Sequence, residues 1–143
     1  MRTPPETSRS TRTIRPGKPP NRKENMENTI SEENKLISRR LTEDEKRLLA
    51  LLLLKASIIK TKDWLDSLWV TPLNDGGMGS YYIVEESFTK TASDILFVDE
   101  DSVPVLASLY VNNAGEPCEV DMWKMNYTKL LHIPNIIIDI RDH

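Results

Sequence analysis

The architecture can be deduced most directly from VPVLASLYVNNAGEPCEVDMWKMNY, residues 103–127. Its first part, Val103 to Val111, is apolar on both faces, which is typical of a central strand. The loop 112–116 follows, in which Gly115 suits the left-handed position of a hairpin. Pro117 to Tyr127 then predicts a return strand. The stretch therefore predicts an antiparallel hairpin inside a sheet.

Strand patterns also precede this hairpin, at Leu65–Leu73, Tyr81–Val84 and Asp94–Val98. The connections between successive strands are short, and short connections favour an antiparallel meander. The sequence thus predicts a sheet of about five strands. After the hairpin, Leu130–Pro134 predicts a turn and Ile136–Ile140 an extended or packed tail.

A helix is predicted before the strands. Thr42 and Glu45 have the spacing of a capping box, and acidic residues occupy the first turn. The helix continues through the apolar run Leu48–Leu54 to Ile58. That run is far shorter than the roughly 20 residues that span a bilayer, so we expect it to be buried against the sheet. The expected fold class is α+β, with one or two N-terminal helices on the sheet.

The composition limits the classes of function. The chain has 143 residues, a net charge of −3, one cysteine and two histidines. This length suits one domain. A single cysteine excludes an intrachain disulfide framework and a multi-cysteine metal site. These counts disfavour an enzyme, and we expect neither a cofactor nor a metal.

The net charge conceals a division along the chain. Residues 1–25 carry seven basic and two acidic groups, whereas residues 41–143 carry nine basic and seventeen acidic ones. The proline-rich start has little apolar surface to bury, so we expect residues 1–34 to be disordered and residues 35–143 to form one α+β domain.

The basic tail allows two interpretations. It is either an arm for nucleic acid or membrane surfaces, or a stretch upstream of a native start at Met26. The second is favoured because residues 22–25 are all encoded by purine-rich codons. A purine-rich ribosome-binding site just upstream of a start at Met26 would translate into such a run. A native peptide that spans Asn25 and Met26 would exclude it.

A glycine-rich loop is the most distinctive local motif. Asp75-Gly76-Gly77-Met78-Gly79-Ser80 matches neither the dinucleotide-binding spacing nor a P-loop, and a strand follows it. We interpret it as a structural turn, with a partner-binding loop as the alternative and a phosphate site as the least favoured reading.

The other residues with chemical potential favour structural roles. His132 lies between apolar neighbours and is interpreted as a core or rim residue. Cys118 is interpreted as a small apolar strand residue. The acidic run Asp99–Asp101 lacks the remaining ligands of a calcium loop and is interpreted as a turn.

One face of the last strand combines charge with aromatic character. Glu119, Asp121 and Trp123 alternate onto the same face. Either the strand leaves the sheet edge with only its apolar half buried, or the face is an exposed acidic–aromatic surface that receives a basic protein.

Four strings together resemble a small bacterial family of uncharacterised proteins, over about residues 35–135. They are RLTEDEK from residue 40, LNDGGMGS from residue 73, VPVLASLYV from residue 103 and EPCEVDMWK from residue 116. The Glu-x-Asp-x-Trp-Lys string also resembles strands of small α+β immunity proteins that neutralise polymorphic or contact-dependent toxins. The resemblance implies no catalytic residues.

The leading functional expectation is a non-catalytic, cytoplasmic protein-binding module, in particular an immunity protein that caps a basic toxin domain. Its expected contact residues are Asp99, Asp101, Glu119, Asp121 and Trp123, followed by Asp75, Gly76, Gly77 and Gly79.

Two other classes remain open. A pocket for a small ligand or substrate would use Asp75, Ser80, Tyr81 and His132. Nucleic-acid binding through the tail would weaken steeply with salt, and the acidic domain disfavours it.

Overall fold

The computed structural model describes residues 37–87 and 90–142. The segment predicted to be disordered, residues 1–34, lies outside them. The described part has α+β architecture, as expected. Its helices and strands are α1 (Glu43–Lys55), α2 (Lys62–Ser67), β1 (Arg39–Arg40), β2 (Trp69–Pro72), β3 (Tyr81–Tyr82), β4 (Lys90–Val98), β5 (Pro104–Val111) and β6 (Pro117–Lys124).

The strands form one antiparallel sheet in the order β1-β2-β3-β6-β5-β4. The predicted meander therefore holds between β2 and β3 and through β4, β5 and β6, but not between β3 and β4. After β3 the chain crosses to the far edge, and β6 returns beside β3, where Tyr81 pairs with Val120. This return places β6 inside the sheet, whereas a simple meander would leave it at an edge.

The first helix begins as its sequence predicts. The Thr42 hydroxyl accepts from the Glu45 amide at 3.1 Å, and the Glu45 carboxylate accepts from the Thr42 amide at 2.9 Å. The helix ends at Lys55, three residues earlier than expected. Its leucines at 48, 49, 52 and 53 are buried, while Leu54 is exposed.

One predicted strand is partly wrong. The first half of Leu65–Leu73 belongs to α2, and only Trp69–Pro72 is extended. The physical reason is a second N-cap, since the Thr61 side chain accepts from the Trp64 amide at 3.0 Å. The short strand β1, which pairs with β2 at the sheet edge, was not predicted.

Both helices lie on one face of the sheet, where they form the core. The buried leucines of α1 pack with alternate residues of β4, β5 and β6, and Trp64 and Leu65 of α2 pack against the same cluster. The inward strand residues include Ile95, Phe97, Val105, Ala107, Leu109, Val120 and Met122. None of the helices within the described ranges is long and apolar enough to cross a membrane.

Candidate binding surface

A buried lysine holds the C-terminal part of the chain against the sheet. The Lys124 ammonium donates to Asp99 at 2.8 Å, to Asp101 at 2.8 Å and to the Lys129 carbonyl at 2.9 Å. The side chains of Lys124 and Asp99 are both inaccessible to solvent, and that of Asp101 is 36% exposed. The acidic turn between β4 and β5 therefore forms an internal ion cluster, which we call the Lys124 cluster.

Hydrogen bonds keep this cluster charged. Burial opposes ionisation of Asp99, but donation by Lys124 and by the backbone amides of Leu131, Glu100 and His132 outweighs it and lowers the pKa of Asp99. Burial likewise disfavours the Lys124 cation, and its bonds to Asp101 and Asp99 outweigh that effect and raise its pKa. Because two of the donors are the amides of residues 131 and 132, the cluster fixes the segment after β6.

A second charged group fixes the end of the chain. The buried Asp139 carboxylate accepts from the Lys55 ammonium at 3.0 Å and from Arg141 at 2.7 and 2.9 Å. The hydrogen bond from Arg141 is the main cause of a lowered Asp139 pKa, which burial opposes. The Ile140 amide donates to the Leu96 carbonyl of β4 at 2.8 Å. The terminal segment is thus tied to both α1 and the edge strand.

This anchored segment displays aliphatic side chains to solvent. Ile136, Ile138 and Ile140 are 78%, 57% and 37% exposed, whereas Ile137 packs against the core and Asp139 is buried. We call the three exposed residues the isoleucine stripe. Single exposed apolar residues are ordinary on protein surfaces. Three within five residues, on a segment held by ion pairs to the buried Asp139, make this segment a candidate contact surface.

The glycine-rich loop is a turn built around its own aspartate. The Asp75 carboxylate accepts from the amides of Met78, Gly79 and Ser80 at 3.1 to 3.4 Å. The loop also contacts the segment after β6, because the Leu130 amide donates to the Gly77 carbonyl at 3.0 Å. These contacts agree with the interpretation as a structural turn. Gly76 and Gly77 are exposed, whereas Asp75 and Gly79 are half-buried.

The expectation of an exposed acidic–aromatic face on the last strand is wrong. Glu119 and Asp121 are 0% exposed and Trp123 is 8% exposed. The alternative, a strand that leaves the sheet edge, is also wrong, since β6 lies between β3 and β5. Asp99 is buried with Lys124, so of the five leading contact residues only Asp101 reaches solvent appreciably. All eight residues of β6 are buried, so the alternation along this strand separates two covered faces and not a buried face from an exposed one.

The residues of the alternative pocket lie in different environments. Ser80 is buried beside Asp121, 3.3 Å from its carboxylate, and its hydroxyl accepts from the Met122 amide at 2.8 Å. Tyr81 is in the core, where burial raises its pKa. His132 is on the rim, with its Nδ1 3.7 Å from the Asp44 carboxylate at the start of α1. Ser80 and His132 therefore contact different parts of the molecule.

Two further observations concern groups with chemical potential. The Cys118 thiol is buried and donates to the Tyr110 carbonyl at 3.4 Å, which confirms the interpretation of this residue as part of the strand interior. Within residues 37–87 and 90–142, three or more histidine, cysteine, aspartate or glutamate side chains do not come together in a way that could hold a metal ion.

The sequence interpretation missed the isoleucine stripe as a surface. Residues 136–140 read Ile-Ile-Ile-Asp-Ile, and this run has no apolar–polar alternation to show which side chains face inward. The available signal was Asp139, an acidic residue within an aliphatic run. In the structure Asp139 is buried with Lys55 and Arg141, and this inward position turns Ile138 and Ile140 outward.

The fold and its surfaces define a small α+β domain in which Asp99, Lys124 and Asp139 are committed to internal ion pairs. The sequence profile of a domain of unknown function, DUF6984, matches residues 38–134. The chain belongs to this family, which confirms the resemblance to uncharacterised proteins. No curated protein and no solved structure matches the chain. The resemblance to immunity proteins stays a prediction.

Proposed function

We propose that this protein is a non-catalytic protein-binding module and that the isoleucine stripe is the centre of its contact surface. The observation that carries the proposal is the outward display of Ile136, Ile138 and Ile140 on an anchored segment. An exposed aliphatic group gains free energy when a partner removes it from water. Fixing the segment in advance lowers the ordering cost of binding.

The internal bonding of the reactive side chains supports a non-catalytic role. Ser80, Cys118 and Asp99 are buried and bonded to neighbouring groups, and Asp75 caps its own loop. A catalytic group must reach substrate, and these positions favour stability of the fold instead.

The charge of the domain supports a basic partner. Residues 41–143 carry nine basic and seventeen acidic groups. An acidic surface accelerates encounter with a basic protein at low salt. In its most specific form, the proposal is an immunity protein that caps a basic toxin domain, with aliphatic contacts at the stripe holding the complex.

A matched pair of variants tests the contact surface. The tagged wild-type chain, the Ile136→Ser/Ile138→Ser variant and the Ile37→Ser/Ile59→Ser variant are each used to capture proteins from the native host. Ile37 and Ile59 are 91% and 93% exposed and lie outside the stripe. Their replacement therefore removes at least as much exposed aliphatic surface as the stripe variant does, but at other positions. The captured protein is identified by mass spectrometry and its affinity is measured with purified components.

We expect the wild-type chain and the Ile37/Ile59 variant to bind the same partner, and the stripe variant to bind it about tenfold more weakly or worse. The association rate should fall as salt is raised if the partner is basic. Equal affinity of the two variants would exclude the stripe as the contact surface. Capture of no protein partner by the wild-type chain would count against the binding module itself.

A further inference from the structure

The two edges of the described sheet differ in length and composition. One edge is β1, which has two residues, both arginine. The other is β4, which has nine residues, Lys90–Val98, and carries no proline, no glycine and no net charge. An open strand edge is a template for pairing with another chain, and short or charged edges resist such pairing. Of the two, the β4 edge is therefore the one suited to pairing.

The outward side of β4 can be identified from its hydrogen bonds. The carbonyls of Asp94 and Leu96 accept from groups outside the sheet. These residues, and Val98 by alternation, therefore direct their backbone groups away from β5. Nearer the start of the strand, a bulge at residues 91–93 disturbs the register with β5, and bulges hinder pairing at an edge. The regular part of the edge is thus residues 94–98.

The C-terminal segment covers this regular part. The Ile140 amide donates to the Leu96 carbonyl at 2.8 Å. The Arg141 guanidinium donates to the carbonyl and to the carboxylate of Asp94, at 3.2 and 2.8 Å. The Lys55 ammonium donates to the same carbonyl at 3.0 Å. Two outward carbonyls of the edge are thus bonded to side chains and to one amide instead of a further strand. We call residues 139–141 the edge guard.

The edge guard is held mainly by charged side chains. Asp139 bonds to Lys55 and Arg141, and the side chains of Lys55, Arg141 and Asp94 are each partly exposed. Ion pairs in such positions contribute little to stability. Among the described residues, one backbone hydrogen bond joins the guard to β4. The guard can therefore leave the edge while the core, which consists of other residues, stays intact.

We propose that the edge guard is releasable and that its release allows β4 to pair with β4 of a second copy of this chain. Two identical strands can pair antiparallel about a twofold axis, because each presents the same outward groups to the other. Residues 95–98 carry no charge, so two copies do not repel each other along this part. The resulting dimer is closed, since the β1 edge that remains is short and cationic.

Two variants of the full chain release the guard by different means. Asp139→Asn/Arg141→Gln removes its ion pairs and leaves the net charge unchanged. Ile140→Pro keeps the ion pairs and removes the amide that donates to Leu96. The second variant leaves the buried charged groups in place, so it tests the guard even if the first one is unstable.

Each release variant has a matched control. Lys62→Gln/Asp66→Asn removes an ion pair on α2 with the same charge balance. Ile136→Pro places a proline in the same C-terminal segment but outside the guard. The wild-type chain and all variants are compared by sedimentation velocity over a wide range of concentrations. We expect both release variants to dimerise at least about tenfold more strongly than the wild-type chain, and both controls to match it. Release variants that sediment like the wild-type chain overturn the proposal.

Amide exchange locates the contact. In the wild-type chain the outward amides of Leu96 and Val98 should exchange faster than those of Ile95 and Phe97, which face β5. In the release variants we expect the two outward amides to gain protection at high concentration and to lose it on dilution. Addition of Val98→Pro, which removes an outward donor, should abolish the dimer.

Three results of these measurements would overturn the proposal. The first is a dimer that persists with Val98→Pro. The second is protection that is gained at other strands and not at Leu96 and Val98, which would place the contact elsewhere. The third is loss of protection at Ile95 and Phe97 in both release variants, which would show that the guard is needed for the fold itself.

Discussion

Lys124 is the residue on which the C-terminal part of the molecule depends most directly. Its ammonium is inaccessible to solvent and joins the acidic turn after β4 to the chain beyond β6. Its sequence context, Trp-Lys-Met at the end of a strand, gives no sign of this burial. Its two carboxylate partners, Asp99 and Asp101, are more than twenty positions away, and the sheet register brings them together with it.

Replacement of Lys124 by methionine tests the cluster. Lys124→Met keeps the aliphatic stem but leaves Asp99 buried without its cation, so we expect the urea midpoint to fall several times further than in Lys62→Met. Lys62 forms an ion pair with Asp66 on the surface and is 85% exposed, and such pairs contribute little. Equal shifts in the two variants would contradict the structural role of the cluster.

The pH dependence of the same variant follows from the lowered pKa of Asp99. In the wild-type chain the ionised Asp99 stabilises the folded state. This stabilisation is fully present above the unfolded aspartate pKa of about 4 and is lost as the pH falls below it. In Lys124→Met, Asp99 can become neutral by taking up a proton. The stability gap between the two chains should therefore narrow as the pH falls below about 4.

At the scale of elements, the glycine-rich loop packs closely against the segment after β6. Gly76 and Gly77 have φ angles of +78° and +83°, in the left-handed region. A Cβ atom at Gly77 would lie 2.9 Å from the Cγ atom of Lys129, whereas at Gly76 it would meet nothing within 4 Å. Position 76 thus favours glycine only for its backbone conformation, whereas position 77 also lacks room for a Cβ atom.

This difference gives a prediction with an internal control. Gly76→Ala should cost about 1 kcal/mol, because alanine disfavours the left-handed region. Gly77→Ala has the same backbone cost and in addition displaces Lys129, so its free energy of unfolding should fall further. Urea denaturation of both variants checks this. Equal losses would show that the segment around Lys129 moves aside freely.

The elements themselves were largely predictable where a local signal exists. The Thr42–Glu45 capping box and the hairpin at 112–116 depend on neighbouring residues, and the structure has both. The helix α2 was missed because its six residues carry no apolar period. The strand β1 has two residues and is held by its pairing with β2, which no local pattern encodes.

At the scale of the whole molecule, the candidate surfaces were less predictable than the fold. The acidic residues of β6 suggested a surface because charged side chains are usually exposed. Both faces of β6 are buried, and the alternation of its sequence does not show that the face carrying Glu119 and Asp121 is covered as well as the core face. The stripe at 136–140 likewise depends on the distant partners of Asp139, namely Lys55 and Arg141.

The strand order also has a consequence for how the chain acquires its structure. Strands β4, β5 and β6 are neighbours both in the sequence and in the sheet, whereas the pairing of β3 with β6 joins distant parts of the chain. Local pairings form quickly and distant ones slowly, so we expect refolding to start in residues 90–124. Pulse-labelled amide exchange should show early protection there and later protection of Ile83 and Val84, whose amides donate to the Cys118 carbonyl of β6. On the ribosome, the N-terminal helices would emerge well before the strands that they must cover, and that interval exposes four leucines to chaperones.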